Sequence, residues 1–227
     1  MGINSEYSCY GYAMVIAVIA DIVGSRDLRD RGAAQRALDE TIAQVEQDRP
    51  LAIHPLTPTV GDEQQGVYRA LPDALLSLLM VQLRLPEGLA FRFGIGVGEV
   101  RPVASVHGEL ADGPGWYAAR AAIETVHARE QRAVPRTRTW IVGAPGQDEV
   151  METVIAASNA YVLARDELVG TMSTRERHLT YGRLVGRSQQ ELAAQEGISQ
   201  PSVSKSLRSA GAAALIEGVA ALRGESA

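Results

Sequence analysis

Two carboxylates stand out for their surroundings. Asp21 follows the apolar run "MVIAVIA" and precedes "IVG"; Asp62 lies 41 residues further on, inside "TVGDEQQGVY". One sits at the mouth of a buried strand and the other in a hairpin turn, so the two can meet at one sheet edge. Such a pair is a hard-oxygen site for Mg2+, which commonly binds through one or two carboxylates plus substrate phosphates. Gly24 after the first and Gly61 before the second would let backbone approach a phosphate closely. Each aspartate alone has a plainer reading, because Asp beside Gly usually caps a turn. Arg26 and Arg120 are candidates to clamp phosphate, and Glu63 and Glu99 are candidates to join the site. His54 and His107 lack metal-ligand spacing and read as structural. Cys9 has no visible partner.

A second kind of chemistry is written in "SQQELAAQEGISQPSVSKSLRSAG", residues 188 to 211. Leu192, Ala193, Ile198, Val203 and Leu207 make a small apolar core. Ala193 and Gly197 allow close helix approach and a tight turn. Ser199 suits the cap of a second helix and Pro201 its first turn. That helix then exposes Gln200, Ser202, Ser204, Lys205 and Arg208. Gln can read adenine, Ser can reach bases or phosphates, and Lys and Arg neutralise phosphates. Arg175, Arg177, Arg183 and Arg187 upstream are further backbone contacts in this reading. A helical hairpin used only for dimerisation is the plainer alternative.

The elements that must position these residues follow from periodicity. Residues 14 to 20 read as a fully buried strand. Residues 31 to 47 carry Ala34, Leu38, Ile42 and Val45 at helical spacing. Residues 56 to 69 read as two short strands around a turn at Gly61 and Asp62. "LPDALLSLLMVQLR" is a strongly apolar helix, "LAFRFGIGVGEV" an alternating strand, 113 to 130 a helix and "RTWIVG" a last strand. The order β-α-β-β-α-β-α-β predicts an α+β fold: a ferredoxin-like split βαβ domain with an antiparallel sheet, plus an all-α helix-turn-helix domain. The expected boundaries are a loose tail over 1–13, a sheet domain over 14–146, a linking helix over 147–170 and a DNA-binding domain over 171–227. Residues 209 to 222 suit a closing helix or a dimer contact.

Composition agrees with two jobs in one chain. Hydrophobic residues are 46% and charged residues 22% of 227, enough for a packed core. Net charge is −5, yet residues 171–227 hold seven Lys/Arg against five Asp/Glu, while the rest holds fifteen against twenty-two. A single cysteine excludes an intrachain disulfide and fits a reducing compartment. No apolar run approaches the roughly 20 residues a bilayer span needs, and no charged leader precedes the first apolar run. The expected location is cytoplasmic.

"IADIVGSRD", "TVGDEQQGVY", "FRFGIGVGEV" and "GPGWYAARAAIE" resemble, in order, four motifs of class III nucleotide cyclases over about residues 14 to 142. By that resemblance Asp21 and Asp62 would be metal ligands and Arg120 a phosphate-stabilising arginine. Pro58, Gly113 (with Asp112 beside it) and Trp116 stand where cyclases carry a base-reading Lys, a base-reading Asp and a ribose-orienting Asn. Those departures argue against cyclisation, while the Trp116 ring could stack on a base. "GDEQQG" and "DGPGWYAAR" look closer to the SatD family, a resemblance covering nearly the whole chain. Archaeal GTP cyclohydrolase and GGDEF-type dinucleotide cyclases are further relatives by pattern. The shared implication is a purine nucleotide (GTP, ATP or a cyclic nucleotide) held with Mg2+. The expected function is a homodimeric transcriptional regulator that binds promoter DNA and senses that nucleotide. Two alternatives stay open: an enzyme processing a purine triphosphate, cyclase-like or cyclohydrolase-like, with an accessory DNA-binding domain; or a DNA-binding protein whose N-terminal domain only dimerises.

Overall fold

Successive residues of a strand face opposite sides of a sheet, and in β1 (Met14–Ile22) both sides are buried. Ile16, Val18, Ala20 and Ile22 enter one core cluster; Val15, Ala17 and Ile19 enter another. A strand apolar on both faces belongs at the centre of a covered sheet. The computed structural model describes residues 14–225, apart from 26, 27, 29, 60, 61, 106 and 107. The expected tail 1–13, with Cys9, and also Arg26, Gly61 and His107 lie outside the described residues.

In it β1 pairs antiparallel with β3 (Gln64–Tyr68) and β4 (Phe91–Glu99), and β2 (Ala52–Pro58) pairs antiparallel with β3. The order β2-β3-β1-β4 is the interleaving expected of a split βαβ unit. A fifth strand departs from the expected all-antiparallel sheet. It is the last strand of the sheet, at Thr139–Gly143, and it runs parallel to β4 at the edge, so the sheet is mixed. The reason is the helix that joins them, because a crossover connection returns the chain in its original direction. Between β4 and that helix lies a hairpin the periodicity did not predict, β5 (Arg101–Ser105) with β6 (Gly108–Asp112). The edge strand is therefore β7.

The helices divide between the two faces. α1 (Arg31–Asp48) starts on Asp30, whose carboxylate accepts from Ala33 N at 2.8 Å. α2 (Leu71–Arg84) is buried at every position from Ala74 to Leu83. A helix apolar all round must be covered all round. The sheet covers one side of α2, through Phe93 and Ile95. Tyr181, Leu184, Leu215 and Val219 of the C-terminal helices belong to the same cluster and cover the other. The C-terminal region therefore shares the main core with the sheet.

α3 (Pro114–Glu130) lies on the opposite face, along a stripe of β4 glycines. A Cβ at Gly96 would stand 2.0 Å from Gly115 O and 2.5 Å from Ala119 N, and one at Gly94 would stand 2.3 Å from Ala119 O. No side chain fits there; glycine lets the helix backbone touch the sheet.

α4 (Glu149–Thr171), expected as a linking helix, packs along β7. The Asn159 carboxamide accepts from Ile141 N and donates to Ile141 O, both at 2.9 Å. A helix side chain thus completes the ladder of an edge strand, which otherwise would expose unpaired groups. Four further helices follow: α5 (Thr174–Leu184), α6 (Gln189–Glu196), α7 (Gln200–Ser209) and α8 (Ala212–Arg223). Ser173 with Glu176, and Ser188 with Glu191, form capping boxes at α5 and α6. α8 closes the core by packing on α2. Among the described residues no helix is long and apolar enough to cross a membrane.

Candidate functional site

Strand parity that buries Val15, Ala17 and Ile19 against α3 puts Asp21 on the same face, one step past the apolar run. Arg92 stands opposite it on β4, in register. At this end of the sheet the glycine stripe has ended, and polar groups replace it. Arg92 Nη1 donates to Asp21 Oδ1 at 3.3 Å and Arg92 Nε to Glu130 Oε2 at 2.6 Å. Arg138 Nη1 reaches the other Glu130 oxygen at 2.9 Å. His127, in the last turn of α3, places Nε2 2.7 Å from Asp21 Oδ2. Both oxygens of Asp21 are thus engaged.

Asp62 meets Asp21 in one cleft, lined also by Ile22, Gly24, Ser25, Arg92 and His127 and about 430 Å3 in volume. Gly24 has φ +65°, in the left-handed region that favours glycine, and turns the chain away from β1. The β2–β3 hairpin that carries Asp62 is closed by Thr59 N donating to Glu63 O at 2.9 Å. Asp62 is half-buried and makes no hydrogen bond or ion pair among the described residues. Glu63 receives both terminal nitrogens of Arg120, at 2.6 and 2.8 Å. That bond holds the Arg120 guanidinium pKa above its ordinary value. Two expected phosphate-site residues are therefore paired with each other.

Other expected residues lie elsewhere. Glu99 pairs with Arg101 at 2.6 and 2.7 Å. It sits opposite Met14, at the far end of the strand pair from Asp21 and Arg92, so it does not join this cleft. Gly113 packs against Glu99 O at that same far end. Beside it, Asp112 accepts from Tyr117 Oη at 2.6 Å and Gly113 N at 2.7 Å, which holds its carboxyl below the usual range. Trp116 is buried in the α3-side core with Val15, Ala17 and Val67. Its ring is core packing, not a platform for a base. Sequence reasoning missed Arg92 and His127. Neither carries a local mark of its partner: Arg92 is one polar residue between Phe91 and Phe93, and His127 one polar residue in the last turn of a helix.

Among the C-terminal helices, α6 and α7 meet at a tight turn. Gly197 ends α6 with φ +64°, and Ser199 Oγ accepts from Ser202 N to start α7. Leu179, Leu192, Ala193, Val203, Leu207 and Ala212 form a small core. Gly182 makes the approach of α5 possible, because a Cβ there would lie 2.3 Å from Leu192 Cδ2. Gln200, Ser202, Lys205 and Arg208 are exposed and Ser204 is half-exposed. Gln200 donates to Gln189 Oε1 at 2.7 Å, and Arg187 to Gln195 Oε1 at 3.2 Å. Arg175 faces Glu196 at 3.7 Å. Arg183 folds back on Arg187 O. Arg177 turns inward and donates to Gln82 O and Leu85 O, the carbonyl end of α2. It is not an outward contact for a nucleic acid.

Comparison with solved structures finds nucleotide cyclase catalytic domains. The guanylyl cyclase domain of the RhoGC fusion protein of the aquatic fungus Blastocladiella emersonii aligns over 50% of this chain and 76% of its own, at 16% identity and a TM-score of 0.41. A bacterial light-regulated adenylyl cyclase aligns over 55% and 73%, at 12% identity and 0.41. An adenylate cyclase of Trypanosoma brucei aligns over 49% and 68%, at 18% identity and 0.40. No curated protein matches. A family model described as the SatD family matches residues 15–217.

Proposed function

The chain belongs to the SatD family, and from that premise we propose that it is a DNA-binding transcriptional regulator whose sheet domain holds a phosphorylated ligand. The observation that carries the reading is the surface of α7. Its buried side is Val203 and Leu207 alone. Its open side is polar or cationic and holds no acidic residue, and Lys205 and Arg208 make no ion pair among the described residues. In this reading α5, α6 and α7 are a helix-turn-helix, with α7 the helix that enters the major groove. Gln200 and Ser202, in its first turn, address base edges; Lys205, Arg208 and the flanking Arg187 address phosphates. One copy presents few cations. Two copies on successive grooves bind far more tightly, so the regulator works as a homodimer.

A salt titration tests it. The full chain is bound to duplex DNA at several salt concentrations, and log affinity is plotted against log salt. K205A/R208A is expected to weaken binding and to flatten the slope by about 0.9 for each phosphate contact removed. Unchanged affinity and slope would rule out α7 as the reading helix.

The cleft at Asp21 and Asp62 supports the second half. Mg2+ suits its donor chemistry: Asp62 carries no hydrogen bond among the described residues, and Asp21 Oδ1 is held only by the 3.3 Å contact to Arg92. Those two carboxylates would hold the ion, which supplies charge to bind a phosphate. The chain's own groups do the rest. Gly24 lets backbone approach the phosphate. Arg120 exchanges Glu63, the chain neighbour of Asp62, for a phosphate oxygen. His127 and Arg92 orient Asp21. The motif resemblance makes the ligand a purine nucleotide. Ligand and DNA are coupled if the bound state favours one arrangement of the dimer.

A further inference from the structure

We infer that the outer face of α4 is a homodimer interface, on which a second copy of this chain packs with its own α4 antiparallel to the first. The inference deepens the homodimer named above and rests on that part of the reading, not on what α7 binds. Between Glu152 and Arg165 the helix carries no charged residue, a run of about three turns. Yet Thr153, Val154, Ala156, Ala157, Ala160 and Ala164 are exposed. A helix side left to water normally carries charged and polar residues. Val150 and Val154 are 73% and 42% exposed, and among the described residues Tyr117 is the one other large hydrophobic side chain so open.

Part of the same side already serves as a packing surface. Val150, Val154, Ala157, Tyr161, Ala164 and Leu168 recur at three- and four-residue spacing, so they form one stripe. α8 packs on its C-terminal part: a Cβ at Gly218 would lie 3.1 Å from the Tyr161 ring, and one at Gly211 would lie 3.2 Å from Leu168. Among the described residues nothing continues that cover over Val150 and Val154.

Unpaired charge identifies the occupant. A groove of about 690 Å3 runs beside α4 along the edge strand β7, and Arg129 and Glu152 both line it. Arg129 lies over the Trp140 ring, 3.7 Å from its centre. Its Nε is buried there, while its terminal nitrogens stay open and have no acceptor. Glu152 is exposed, and neither side chain makes a hydrogen bond or ion pair among the described residues. In an antiparallel pair with Ala157 of each helix on the two-fold axis, the partner's Glu152 comes level with Asn159 to Leu163. That stretch of α4 lines the groove together with Arg129. Each copy supplies the charge the other lacks, twice by symmetry. The partner's Val150 and Val154 come level with Ala164 and Ala160, so larger side chains meet smaller ones. A different protein would have to bring both charges at this spacing, which a second copy does by itself.

Sedimentation velocity of the full chain, without DNA or nucleotide, tests the inference. The parent is expected to sediment as a dimer at micromolar concentration. A157E alters an exposed position, sets two like charges against each other at the axis, and should raise the dissociation constant at least about 100-fold. E152R and R129E should each weaken the dimer by about 10-fold or more, because each turns both ion pairs into repulsions. An equimolar mixture of E152R and R129E should restore it, since every arginine of the mixed pair then meets a glutamate. A monomeric parent overturns the inference and the homodimer with it, and leaves the face to another partner. A dimer equally tight in A157E overturns this interface and lets the homodimer stand elsewhere. A mixture no tighter than its two components overturns the pairing across the axis that identified a second copy as the occupant.

Discussion

Replacing Arg165 with methionine is expected to destabilise the protein by about 3–5 kcal/mol, read from the urea midpoint, because it strands a buried charge. Arg165 and Asp166 are fully buried neighbours on α4, 2.8 Å apart. Arg165 also donates to Leu75 O on α2 at 3.3 Å and to the Thr139 hydroxyl at the start of β7. Asp166 accepts from Arg138 N at 2.7 Å and from Gln82 Nε2 at 3.3 Å. The pair therefore pins three elements, α2, α4 and β7, at one point. Removing only the cation leaves the Asp166 carboxylate in a dry site. Removing both charges leaves nothing uncompensated, so R165M/D166N should recover part of the loss, although the side chains still repack imperfectly. A single variant within about 1 kcal/mol of the parent, the level of an ordinary substitution, would show that the pair is solvated and not buried.

Asparagine at the two cleft aspartates is expected to abolish Mg2+-dependent nucleotide binding. Titration of the full chain with GTP or ATP should release heat in the presence of Mg2+ and far less in its absence. Asp62→Asn removes the proposed anionic ligand with almost no change in volume, at a half-buried position outside the core. Its effect should exceed the roughly 10- to 100-fold loss that outer-shell changes around metals typically cause. Asp21→Asn should act similarly and also free Arg92 and His127 from their shared partner. Nucleotide bound equally well without Mg2+, or by D21N/D62N, contradicts the metal role. Nucleotide that does not bind under any condition removes the ligand reading of this cleft and leaves the reading of α7 untouched.

Much of this architecture is legible in the sequence where one force dominates. The doubly apolar β1 announces a central strand. The Ser-Gln-Gln-Glu run ahead of Leu192 announces a capped helix, and Gly197 its end. What stayed illegible depends on two elements meeting. The glycines of "FGIGVG" read as gaps between Ile95 and Val97; only α3 lying on them shows why they are glycine. The direction of β7 could not be read from its residues, because parallel and antiparallel edges share the same alternation. The all-round apolarity of α2 did carry a message, that something must cover its outer side. The C-terminal helices answer it, through Tyr181, Leu184, Leu215 and Val219. In the cleft, the glycine neighbours of Asp21 and Asp62 drew attention to two carboxylates that line one cavity. Arg92 and His127 were not legible, because an ion pair between a strand and a helix turn far apart in sequence has no local signature. Trp116 misled for the same reason: its role was set by the strands beneath it.

The central claim is that α7 reads DNA, and the most direct measurement is selection from a pool of random duplexes by the full chain, followed by sequencing of what is retained. The account predicts enrichment of a recurrent motif, arranged as two half-sites about one helical turn apart, 10–10.5 base pairs, and its loss when Gln200 and Arg208 are replaced by alanine. A retained pool as random as the starting one, at salt low enough to hold any DNA at all, would contradict it.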